Sequence, residues 1–188
     1  MRTLSLAVLL VTAQPSLAGD EKTTIATGDW SEVVNGVRGR LILAQGRTLG
    51  DGKIRESLAY VELENLVSNN SGQVRIHFDP DALKCELTDA AGKAVPQTAG
   101  AGSGGRPGKT WVTLPFDSSI RLRANPFGFG RAEGLLIHLN TGSWHIKDTA
   151  EYRFSGTLTL TAPEGNTGAW IGEIQFPKTK LSLKPAMK

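Results

Sequence analysis

The side chains best suited to chemistry in this sequence are its three histidines, its single cysteine and a few closely spaced acids. His77 alternates against Val74, Ile76 and Phe78, and His138 against Leu135, Ile137 and Leu139, so each reads as a polar position facing out of a strand. No two histidines stand at the H-x-H or H-x-x-x-H spacing that sets two imidazoles on one metal ion. A hydrolytic site would need His77, Asp79 and Asp81 to meet His138 in space, and the chain has no G-x-S-x-G turn to expose a serine nucleophile. Asp79-Pro80-Asp81 offers hard oxygens of the kind calcium takes, but calcium wants about six to eight of them, so an Asp-Pro turn is the expectation. Glu62 and Glu64 share one face of a strand opposite Val61 and Leu63, which predicts a solvated row. Cys85 runs in phase with Leu83 and Leu87 and reads as a buried structural thiol. As the only cysteine it excludes an internal disulfide.

Two glycine-rich stretches imitate cofactor loops without their context. Ser103 to Thr110 comes within one residue of G-x-x-x-x-G-K-T, but such a loop must open a helix, and Trp111-Val112-Thr113-Leu114 reads as a strand. Gly128-Phe129-Gly130 lacks the third glycine of a dinucleotide fingerprint, because Glu133 stands there. No cofactor is expected, and no metal. The loop Asn125 to Arg131 is the most informative anomaly, since it sets Phe127 and Phe129 among glycines, with Arg121 and Arg123 just before it and Arg131 at its end. Aromatic rings on a loop either plug the core or meet a partner. Phe127, Phe129, Arg131, Arg121 and Arg123 are therefore the candidate binding residues, which Arg106 and Lys109 of the earlier glycine-rich loop would join.

The elements that must position these residues are strands. Period-two alternation recurs between Gly, Pro, Asn and Asp clusters, with no long helical periodicity. Candidate strands are 37–43, 58–66, 73–78, 83–88, 110–114, 119–123, 135–139, 152–160 and 170–183. Asp89-Ala90-Ala91-Gly92-Lys93 supplies a hairpin glycine. Lys178, Lys180, Lys184 and Pro177 on the last strand read as protection of a sheet edge.

Ahead of these strands, Arg2, the apolar run from Leu4 to Ala13 and the small-residue pattern Ser16-Leu17-Ala18 make residues 1–18 a predicted signal peptide, too short for a bilayer span of about twenty residues. The mature chain would begin at Gly19 in a periplasmic or extracellular setting. A composition of 39% hydrophobic and 21% charged residues fits neither a disordered tail nor a membrane bundle. A net charge of +3 does not by itself imply a nucleic-acid partner.

Asp148-Thr149-Ala150-Glu151-Tyr152-Arg153-Phe154 resembles the D-x-A-x-Y-x-C run that enters a strand of immunoglobulin-like domains, with Phe154 in place of the cysteine. Trp30 to Gly36, Val61 to Asn65 and Trp170 to Ile174 further resemble segments of exported bacterial immunoglobulin-like sandwich domains. The resemblance spans residues 30–184 and implies a scaffold rather than an activity. The expectation is a lead-in segment over residues 19–36, followed over 37–188 by one disulfide-free, antiparallel, immunoglobulin-like β-sandwich of about eight or nine strands.

Such a domain reads as a non-enzymatic module that binds another protein, or a cell-surface polymer, through end loops or an edge strand. The alternative is a carbohydrate-binding module stacking sugars on Trp111 or Trp144, in which case two coplanar exposed rings should share a sheet face. A hydrolase and a loop-type protease inhibitor are the remaining, weaker readings.

Overall fold

The computed structural model describes residues 24–49, 54–67, 72–98, 102–103, 107–125, 128–129, 134–139, 141–146, 150–166 and 168–181. The predicted signal peptide, and Asp148 and Thr149 of the immunoglobulin-like run, lie outside them. The described chain is almost wholly strand: β1 (Thr24–Thr27), β2 (Val37–Leu49), β3 (Ile54–Asn65), β4 (Gln73–Phe78), β5 (Leu83–Asp89), β6 (Gly102–Ser103), β7 (Thr110–Pro115), β8 (Ser118–Arg123), β9 (Gly128–Phe129), β10 (Gly134–Leu139), β11 (Gly142–Ile146), β12 (Tyr152–Leu160) and β13 (Gly172–Leu181), with one 3-10 turn at Pro80–Ala82. These thirteen strands exceed the eight or nine expected: β1, β6 and β9 are too short to show alternation, and β11 lies outside the candidate strands.

A large sheet has the order β1-β2-β3-β10-β11, with β8 also on β3; β13-β12-β5 form a second sheet, and β4-β7 and β6-β9 form two ribbons. Alternation dictates the core between the layers. Leu41 and Leu43 of β2, Val61 and Leu63 of β3, Leu83 and Leu87 of β5, and Ile174 and Phe176 of β13 all point into one buried cluster. Gly39 of β2 leaves room there for Phe176 of the facing sheet, whose Cε1 would lie 3.0 Å from a β-carbon at that position. Trp144 meets Phe154 edge-on, with ring centroids 6.2 Å apart. Burial of each such large side chain contributes about 1.5–3 kcal/mol.

Segment 94–98 stitches one side of the sandwich. Val95 N–H donates to Leu87 O at 2.8 Å, Thr98 N–H donates to Ser143 O at 2.8 Å, and Trp144 Nε1–H donates to Val95 O at 3.2 Å.

Two expectations are corrected. The sheet is not wholly antiparallel, because β10 pairs in parallel with β3 over Ile54–Glu56. Its cause is local. β8 covers only Tyr60 to Asn65 of the longer β3, and Asn125 then caps the next stretch of edge: its Oδ1 accepts from Ala59 N–H at 3.0 Å and its Nδ2 donates to Ser57 O at 2.9 Å. Only the far end of β3 remains open, and β10 enters there. Residues 24–36 are likewise no mere lead-in, since β1 pairs with β2, and Gly28 and Ser31 donate to Leu41 O and Gly39 O, each at 2.8 Å. The remaining frame follows expectation: an all-β sandwich without a disulfide, in which Cys85 is buried.

Candidate functional site

Of the predicted binding residues, only Arg121 and Arg123 have described side chains. Phe127 and Arg131 lie outside those residues, and Phe129 is described only by its backbone in β9, where it pairs with Gly102 of the other glycine-rich stretch. Lys109 turns away to Asp79, at 2.9 Å. Arg123 Nε–H donates to Asn125 O at 3.1 Å and so braces the cap on β3. Arg121 approaches Glu62 at 3.6 Å.

That contact belongs to a charged ladder on the outer face of the large sheet. Register places Arg40, Glu62 and Arg121 in one row and Arg38, Glu64 and Ser119 in the next. Arg40 Nε bonds Glu62 at 2.6 Å, Arg38 bonds Glu64, and both guanidiniums lie over the Trp30 ring, at 4.4 and 4.8 Å from its centroid. Glu62 and Glu64 thus share the expected face but are paired and largely covered rather than solvated. Cross-strand neighbours brought within about 5 Å make that pairing local. The signal was readable in sequence, since Arg38 and Arg40 alternate at the same period as the two acids.

His138 also departs from expectation. It is buried, with Nδ1 against Ser143 Oγ directly across the β10-β11 pair. His77 stays on the β4-β7 ribbon, its ring 4.9 Å from Trp111 and tilted by 45°. His77 and His138 lie on strands that do not pair, since β4 pairs with β7 while β10 pairs with β3 and β11. Asp79 accepts from Asp81 N–H at 3.0 Å and holds Lys109, which makes the predicted Asp-Pro turn. Among the described residues no three His, Cys, Asp or Glu side chains gather as a metal site, and no helix is long and apolar enough to cross a membrane.

The tryptophans bear on sugar stacking. Trp144 is 1% exposed and Trp170 is buried, whereas Trp111 is exposed with Arg75 stacked at 4.2 Å. No coplanar exposed pair of aromatic rings occurs among the described residues.

The feature that stands out is one end of the sandwich. Four large hydrophobic side chains are exposed among the described residues, and three of them lie in connections at that end: Phe116 in the β7-β8 turn, Val33 two residues before Asn35, and Ile171 just before β13. Asn35 and Gly36, at φ 48° and 77°, make a two-residue hairpin between Val34 and Val37, whose N–H and C=O groups bond each other at 2.8 and 2.9 Å. Asn35 Nδ2 donates to Ile171 O at 2.9 Å, and Trp170 Nε1 donates to Asn35 O at 3.2 Å. Leu66 N–H donates to Gly36 O at 2.7 Å, and Asp117 N–H donates to Asn65 O at 2.9 Å, beside Phe116.

Fully buried Asn65 is the hub. Its Nδ2 donates to Leu114 O at 2.8 Å and Gly72 O at 3.2 Å, and its Oδ1 accepts from Val67 N–H at 2.8 Å. Ile171 and the turn of Phe116 are therefore tied by hydrogen bonds to Asn35 and Asn65, and Val33 adjoins the hairpin at Val34. Sequence reasoning passed over this end because the three residues lie in widely separated connections of the chain, and only the fold brings them to one place. Comparison with protein-family models, curated proteins and solved structures finds no match to the chain.

Proposed function

We propose that this chain is an exported, non-enzymatic binding module that docks another protein through the end of the sandwich bearing Val33, Phe116 and Ile171. The observation that carries the reading is the pairing of exposure with rigidity: the three side chains are 51%, 49% and 54% exposed, yet the turns beneath them are bonded to Asn65, Asn35 and Gly36. Exposed apolar area on a fixed scaffold is the arrangement in which association loses least conformational entropy. The tips carry no charge of their own, so the complementary surface is an apolar hollow on the partner. Export is supported by the signal-like residues 1–18, and mass measurement of the secreted chain should give Gly19 as its first residue.

A photo-reactive residue placed at 116 or at 171 tests the docking end, with one at Lys93, exposed beyond the opposite end of β5, as the control. The expected result is one common cross-linked partner from both end positions and none from the control. Equal yields from all three, or different partners from the two end positions, would refute the proposal; capture of a second copy of the chain would reassign the end to self-association.

A further inference from the structure

A groove of about 980 Å³ lies on the β13-β12-β5 sheet, and its lining runs up to Val34 and Glu173, close to the docking end. Its floor is three strands wide, and its wall is the arm that carries Trp30, Glu32 and Val34 along the edge of β2. The hollow has a local cause. The β12-β13 register shifts between Phe154 and Gly156, and Pro177 stands in the opposing strand. Gly156 keeps the floor low, since a β-carbon there would meet both Cys85 Sγ and Lys84 O at 2.8 Å.

Polar groups cross the floor in rows. Lys84, Thr157 and Gln175 are register partners and present an ammonium, a hydroxyl and an amide side by side. In the next row, Thr159 Oγ1 donates to Glu173 Oε2 at 3.2 Å, and Gln175 Nε2 donates to Glu173 Oε1 at 3.3 Å, so the carboxylate is held in place from two sides. We infer that this groove binds a neutral oligosaccharide, a ligand rich in hydroxyls that both donate and accept. Donors and acceptors alternate along the floor, as such a ligand requires. Three glutamates and two lysines line the groove, which is too balanced to draw a polyanion or a polycation. The half-buried indole of Trp30, already packed against Arg38 and Arg40, forms part of the wall and leaves a sugar ring only its remaining surface. The groove shares the arm at Val34 with the docking end, but its floor residues Thr157 and Gln175 are not among the docking tips, so the floor variants and the tip variants test the two readings separately.

The test is isothermal titration of the mature chain with neutral hexasaccharides of β-linked glucose, α-linked glucose, xylose and N-acetylglucosamine. The expected result is saturable binding of at least one of them, weakened about tenfold by Gln175→Ala and by Thr157→Ala, the loss of one or two hydrogen bonds. Trp30→Ala should weaken binding by a similar factor, but it also removes a packing partner of Arg38 and Arg40, so the decision rests on the two floor variants, checked for unchanged melting temperature. Trp111→Ala, on the separate β4-β7 ribbon, should leave binding unchanged. No binding of any hexasaccharide, binding indifferent to the floor variants, or binding lost with Trp111→Ala would overturn the inference.

Discussion

Asn65→Ala strikes the hub of the docking end. The side chain is fully buried and makes three hydrogen bonds, to Leu114 O at 2.8 Å, Gly72 O at 3.2 Å and Val67 N at 2.8 Å. Each bond contributes about 1 kcal/mol net, and the truncation also takes the side-chain partner from two carbonyls and an N–H in a space that alanine cannot fill, so the loss should be about 3–4 kcal/mol. For a domain of this size a loss of 1 kcal/mol lowers the melting temperature by about 2–4 °C, which predicts a fall of roughly 6–16 °C. Thermal unfolding followed by circular dichroism, with urea titration as a check, measures both quantities. Asn65→Asp separates the hydrogen bonds from side-chain volume: it retains an acceptor for Val67 N–H but sets a carboxylate oxygen against two carbonyls. That variant should be less stable than Asn65→Ala at neutral pH. Burial raises the folded-state pKa of the new acid, so the variant should regain stability as the pH falls and the group is protonated. A loss below about 1 kcal/mol for Asn65→Ala would refute the claim that this network fixes the end.

Three further outcomes follow from the same structure. Gly36→Ala should lose at least about 1 kcal/mol, because φ is +77° and the new methyl would collide with Val67 Cγ2; adding Val67→Ala should recover only the steric part, as read by urea unfolding. Burial pushes the Cys85 thiol well above the usual thiol range, so iodoacetamide at pH 8 should label the folded chain far more slowly than the urea-unfolded chain, and equal rates would contradict the packing. The hydrogen bond from Lys180 holds the Glu151 carboxyl below the ordinary carboxylate range. A depressed folded-state pKa gives stability that is present above the unfolded-state value and is lost as the pH falls through the folded one, so Lys180→Ala should melt slightly lower than the parent above the carboxylate range, flatten the acid limb of the melting profile and converge with the parent at low pH.

Period-two alternation was enough to place the long strands and their inward faces, because Val61 and Leu63 or Leu83 and Leu87 have no other way to be buried together. It was blind to pieces too short to alternate, such as β6 and β9, and to the parallel entry of β10, which depends on where Asn125 caps the edge of β3. Single-strand alternation gave His138 the right parity, but it could not tell that Ser143 would lie across from it on a covered face. The docking end was legible only in fragments: Asn35-Gly36 announces a hairpin, but nothing local shows that Asn65, thirty residues on, would hold the turn beneath Phe116.

The most direct test of the central claim is titration calorimetry of the cross-linked partner, once purified, against the mature chain and its Phe116→Ser and Ile171→Ser variants. Both side chains are exposed, so each variant should melt within a few degrees of the parent, a change of about 0.5 kcal/mol. Each should nevertheless weaken the complex at least tenfold, since burying such a side chain contributes about 1.5–3 kcal/mol. Affinity unchanged in both variants would contradict docking through this end.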